Sequence, residues 1–207
     1  MKKVFFVLSL ILFFFSSISA QTTFGFKLAG NLTRIVGEDA EFNDQPSDFA
    51  TFGGVVGVVI ESRSNVLNWK NELLYSQKGG RWSEDDEYYK FHFNYLEFVT
   101  GPSFLIQNDF AINCGFYTGY LLSAKQIVYD GERKNSYGAS QDDLDDLKNR
   151  FDYGVNIGFN YALKETILLT LDYNMGLVNF LSEDGDEEEE IAKHSGFQLG
   201  VSYSLNK

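Results

Sequence analysis

Phe151, Tyr153, Val155, Ile157, Phe159, Tyr161 and Leu163 occupy every second position of one stretch, with Asp152, Gly154, Asn156, Gly158, Asn160 and Ala162 between them. After residues 164–166 the pattern resumes: Ile167, Leu169, Leu171, Tyr173, Met175 and Leu177 alternate with Leu168, Thr170, Asp172, Asn174 and Gly176. Successive side chains of an extended chain point to opposite sides, so this period of two predicts β-strands with one apolar and one polar face. The fold then turns on where the apolar face goes.

The same reading predicts eight strands, near residues 23–32, 51–61, 66–78, 89–104, 110–124, 151–163, 167–180 and 196–205. An even number suits a single-chain antiparallel barrel that closes on itself. The fourth strand slips phase: Phe91, Phe93 and Tyr95 share one parity, Leu96 and Phe98 the other. A β-bulge near Tyr95 is expected to keep both groups on one face.

The connections alternate in length. Those after the second, fourth and sixth strands are short, and those after the first, third, fifth and seventh are long, so the long ones gather at one end. Five acidic residues fall in residues 34–49, four in 79–88, six in 125–150 and seven in 181–195, together 22 of the 29 in the chain. One rim of the barrel is thus expected to be strongly negative.

Volume decides the orientation. In a soluble eight-stranded barrel roughly forty large apolar side chains would have to enter a lumen that its own lining, or one small ligand, already fills. Turned outward, they form a lipid-facing belt around an interior of Gly, Ala, Ser, Asn and scattered charges. On the sixth strand Phe151 and Tyr153 lie at one end of the apolar stripe, Phe159 and Tyr161 at the other, with Val155 and Ile157 between. Two aromatic girdles around an aliphatic middle are what bilayer interfaces select. The expected fold is all-β, an eight-stranded antiparallel up-and-down transmembrane β-barrel.

Residues 1–20 read as a secretory signal peptide: Lys2 and Lys3, an apolar run from Val4 to Phe15, then small polar residues to Ala20, with Gln21 rather than Cys after the expected cut. Residues 21–207 then form one barrel domain in the outer membrane. Without Lys2 and Lys3, 15 basic residues face 29 acidic ones, a net charge of −14 that leaves no basic footprint for nucleic acid. The single cysteine, Cys114, excludes an intramolecular disulfide, and its parity with Ile112 and Phe116 turns it toward lipid.

The segments ELLYSQKGG (residues 72–80), FNYLEF (93–98), GFYTGYLL (115–122), FDYGVNIGFNY (151–161) and the final GFQLGVSYSL resemble the PorT-like outer-membrane β-barrel family of Gram-negative bacteria. The resemblance spans nearly the whole mature chain. It implies an eight-stranded outer-membrane barrel, with a member tied to a protein secretion system. The chain departs from that family at Leu96, Glu97, Phe98 and Val99, where relatives often read Leu-Glu-Ile-Pro, and in ending on Asn206 and Lys207 rather than on an aromatic residue.

Candidate site residues fall into two groups. Lys27, Glu61, Lys70, Glu72, His92, Glu97, Asp152 and Asp172 carry lumen parity, and charges in a narrow interior are expected to pair across it. Glu183, Asp184, Asp186, Glu187, Glu188, Glu189 and Glu190 form an acidic loop. Clustered carboxylates are hard oxygen ligands, but the run lacks the spaced Asp-x-Asp-x-Asp-Gly pattern of a calcium loop and reads as a solvated, self-repelling segment. Catalysis would need a base and a nucleophile in reach. His194 beside Ser195 is the one pairing near a rim, and no serine elbow accompanies it. The expectation is a non-enzymatic barrel without cofactor, in contact with outer-membrane lipid and lipopolysaccharide, whose loops bind an envelope or extracellular partner. The alternatives are an accessory of a PorT-type secretion system and a lipid-modifying barrel enzyme.

Overall fold

The computed structural model describes residues 21–36, 41–42, 45–46, 49–63, 67–84, 87–107, 109–130, 133–138, 150–178 and 193–205. Eight strands make the wall: β1 (Gln21–Val36), β2 (Phe49–Arg63), β3 (Leu67–Glu84), β4 (Glu87–Gln107), β5 (Phe110–Asp130), β6 (Phe151–Lys164), β7 (Ile167–Gly176) and β8 (Lys193–Ser204). Neighbours pair antiparallel in the order β4-β3-β2-β1-β8-β7-β6-β5, and β5 returns to β4. That last pairing closes the sheet, so every wall strand has a partner on both sides and no open edge enters the bilayer. A short strand, Arg133–Gly138, pairs with the upper part of β5 beyond the start of β6, and Glu41–Phe42 pairs with Gln45–Pro46.

The alternation in the sequence is the alternation in the wall. Asp152, Gly154, Asn156, Gly158 and Asn160 are buried, while Phe151, Tyr153, Ile157, Phe159 and Tyr161 are exposed. Phe116 is 69% exposed, whereas Lys27 and Glu97 are each 1% exposed, the inverse of a water-soluble protein. So continuous an apolar outer surface requires an apolar solvent. Cys114 lies on that outer face.

Two expectations are corrected. The phase slip is resolved on the other strand: Asn94 pairs with Ser123 but Tyr95 with Leu121, so the extra residue is Leu122 of β5. β4 keeps its own alternation. Tyr95 points inward at 3% exposure, and Phe93 packs beside it against Leu121, so Tyr95 does not share the lipid face with Leu96 and Phe98. Residues 79–88, expected as a long loop, lie mostly in strand: β3 and β4 remain paired up to Glu84 opposite Glu87. Strand pairing continues here after the hydrophobic alternation that marks it in the sequence has ended.

Candidate functional site

The lumen side chains form two stacked ion-pair layers. In the layer nearer the short turns, Lys27 Nζ lies 2.8 Å from Asp172 Oδ2 and 3.1 Å from Glu72 Oε2. Lys70 Nζ lies 3.1 Å from Glu72 Oε1 and 4.0 Å from Asp172 Oδ1. Asn113 Nδ2 donates to Asp172 Oδ1 at 3.0 Å, and Asn160 Nδ2 donates to Asn113 Oδ1 at 2.7 Å. Two cations thus face two carboxylates, with amides occupying further lone pairs. Alternation on β1, β3 and β7 turns these groups inward, and closure brings the three strands around one axis.

The layer nearer the long connections is centred on Lys78. Its ammonium lies 2.7 Å from Asp152 Oδ2 and 2.5 Å from Glu97 Oε1, over the Tyr117 ring at 4.2 Å. Tyr117 Oη donates to Asp152 Oδ2 at 3.3 Å. Here one cation serves two carboxylates, and the phenol and the ring face supply the remaining stabilisation. Above it, Tyr95 Oη lies 3.3 Å from His194 Nε2, and the His194 ring meets the edges of Phe93 and Tyr95 at centroid distances of 5.3 and 5.7 Å.

Glycines make room for this filling. A Cβ at Gly158 would strike Asp172 Oδ1 and Asn113 Nδ2, and one at Gly154 would meet the Tyr117 ring. Below the lower layer a gap of about 20 Å³, lined by Thr23, Lys70, Asn160, Thr170 and Ser202, has room for about one water. At the short-turn mouth a cavity of about 870 Å³ opens among Glu61, Arg63, Asn68, Asp109, Tyr161 and Lys164.

Of the residues singled out in the sequence, Lys27, Lys70, Glu72 and Asp172 meet in the lower layer, and Glu97 and Asp152 in the upper. Glu61 sits apart at the short-turn mouth, with Arg63 Nε at 3.3 Å and Asn68 Nδ2 donating at 3.3 Å. His92 is corrected. It directly opposes Lys125, and its same-parity neighbour Asn94 makes an exposed hydrogen bond to Ser123, so His92 lies on the outer wall. The reason is the bulge at Leu122, which leaves Phe91, Phe93 and Tyr95 inside. Lys78 was not among the sequence candidates, yet it anchors the upper layer. Its signal was present, since it shares parity with Lys70 and Glu72; only its place at the expected strand end disguised it. Glu183, Asp184, Asp186, Glu187, Glu188, Glu189 and Glu190 lie outside the described residues, as do residues 1–20.

His194 and Ser195 point to opposite faces of β8. His194 enters the lumen, while Ser195 Oγ lies 2.8 Å from Tyr173 Oη on the other side. They do not form a base–nucleophile pair. Among the described residues no group of three or more His, Cys, Asp or Glu is placed to hold a metal ion.

Solved structures are similar to this chain. Ail, the attachment invasion locus protein of Yersinia pestis, is 11% identical with a TM-score of 0.52, over 89% of this chain and 99% of that one. Neisserial surface protein A is 11% identical with a TM-score of 0.48, over 88% of this chain and 98% of that one. No curated protein matches the chain in sequence. At these identities the likeness to Ail speaks for the fold alone, a closed eight-stranded antiparallel barrel. A family model described as the outer membrane protein beta-barrel domain matches residues 16–182, most of the sequence, and the chain belongs to that family.

Proposed function

We propose that the chain is exported through a signal peptide at residues 1–20 and acts in the outer membrane as a non-enzymatic barrel. Its acidic loops face outward and hold a partner of positive charge from the envelope or the surroundings. The observation that carries this reading is the filled lumen. Lys27, Lys70 and Lys78 are paired with Glu72, Asp172, Glu97 and Asp152 inside the barrel. An interior committed to its own ion pairs leaves the loops as the surface that can vary with a partner. Those loops carry most of the acidic residues, and charge complementarity favours a cationic face. Ail was solved in complex with the heparin analogue sucrose octasulfate, an anion; carboxylate-rich loops would repel such a ligand. Against a lipid-modifying enzyme stands the separation of His194 from Ser195 on opposite faces of β8.

A second reading, an accessory of a PorT-type secretion system, is favoured by the five segments quoted above. One experiment addresses both. A photo-crosslinker placed within residues 131–149 in intact cells is expected to capture an envelope or extracellular protein with a basic surface. Capture of secretion components selects the second reading. Labelling no stronger than from a crosslinker at Glu165, in the opposite turn, would reject both.

A further inference from the structure

The outer wall of β3, β4 and β5 changes character along its height. In the apolar belt it presents Leu73, Tyr75, Leu96, Phe98 and Leu122. Next comes a polar row in which Gln77 Nε2 donates to Asn94 Oδ1 at 3.2 Å and Asn94 Nδ2 donates to Ser123 Oγ at 2.9 Å. Beyond that row Arg81 stands directly opposite Lys90, and His92 directly opposite Lys125. Directly opposed residues of an antiparallel pair project from the same face, and Lys90 and His92 are two apart on one strand, so all four belong to one patch. Lys90 and Lys125 both act electrostatically on His92. Lys125 is exposed, Lys90 is partly so, and Arg81 is already engaged within the protein.

Like charges placed side by side on a sheet cost stability. This cluster stands in a chain of net charge −12, and the other residues in register with it, Gly79 and Ile127, are buried and carry no carboxylate. Such a concentration of cations fits an anion held from outside. Its height identifies which anion. A tilted strand climbs roughly 2.5 Å per residue along the membrane normal. The patch therefore begins about 7 Å above Leu122 and reaches about 15 Å above Tyr75 and Leu96, within reach of the headgroup layer for long side chains.

We propose that Lys90 and Lys125, with His92 between them and Arg81 beside them, bind the phosphate groups of a phosphorylated glycolipid of the outer leaflet. The lysines act as point charges, and His92 supplies a ring donor. The inference rests on the reading that the long-connection end faces outward.

The test uses the full mature barrel in mild detergent, titrated with lipopolysaccharide and with the same lipopolysaccharide after enzymatic dephosphorylation. Wild type is expected to bind the phosphorylated form about tenfold or more tightly, in line with the attraction of basic residues to anionic headgroups. Lys90→Gln/Lys125→Gln should lose that preference, Lys90→Arg/Lys125→Arg should keep it, and Arg63→Gln/Lys164→Gln at the opposite mouth should leave it intact. Equal binding of both lipid forms, an unchanged preference in the Gln pair, or an equal loss in the opposite-mouth control would overturn the proposal. Displacement by millimolar inorganic phosphate would also overturn it, since the ligand would then be the free ion. A reversed topology is diagnosed separately, by protease cleavage in intact cells at residues 165–166 in place of residues 131–149.

Discussion

Lys78 on β3 and Asp152 on β6 meet at 2.7 Å across the lumen although they stand 74 positions apart in the chain. β3 and β6 are not neighbours in the wall, so the contact exists only once the sheet has closed. Closure and the pairing of charge are therefore one event in this fold. That coupling makes the interior testable.

Lys78→Ala would leave Glu97 and Asp152 buried without their cation, and loss of one partner of a buried pair costs about 3–5 kcal/mol. Asp152→Asn should cost clearly less, because Lys78 and Glu97 then remain as a balanced pair. Urea unfolding of the two variants in the same detergent checks the order; an equal or reversed ranking would show that the upper layer is not governed by its charge balance.

Lys27 touches both Glu72 and Asp172 closely, whereas Lys70 is close to Glu72 alone. Lys27→Ala is expected to lower the unfolding midpoint more than Lys70→Ala, which leaves both carboxylates with a cation. Both should exceed the exposed Lys164→Ala, for which about 0.5 kcal/mol or less is expected.

Gly158→Val would place methyl groups where Asp172 and Asn113 already sit. Overfilling of this kind costs about 1–3 kcal/mol, and the folded, heat-modifiable band on a detergent gel should weaken. Gly54→Ala is the control, since nothing lies near its added Cβ; that variant should migrate as wild type before and after boiling.

The two histidines should separate cleanly. His194 is buried between Phe93 and Tyr95, so His194→Ala opens a cavity and strands the Tyr95 hydroxyl, at about 2–4 kcal/mol. His92→Ala on the outer wall is expected to change stability by less than about 0.5 kcal/mol. Matching losses would contradict the inward turn of Tyr95.

Planar-bilayer recordings of the purified barrel should show no large, steady openings, because the lumen is crossed by two layers of paired side chains and an eight-stranded barrel is about as wide as its own lining can fill. Sustained conductance in wild type would mean that the layers part readily in the membrane.

What the sequence determined by itself was set by local geometry. An extended chain throws successive side chains to opposite faces, so Phe151 to Leu163 announced a strand, its wet face and its dry face before any partner was known. The excess of large apolar residues then left only one direction for the dry face. The inward turn of Lys27, Lys70, Glu72 and Asp172 followed from the same parity. Tertiary structure decided whatever depends on a neighbouring strand. The residue that absorbs the phase slip is Leu122 on β5, because a bulge belongs to a pair of strands and either one can carry it. That choice moved Tyr95 into the lumen and His92 out of it. The pairing of Lys78 with Glu97 and Asp152 was likewise beyond periodicity, since parity gives a direction and only closure of the barrel gives a distance.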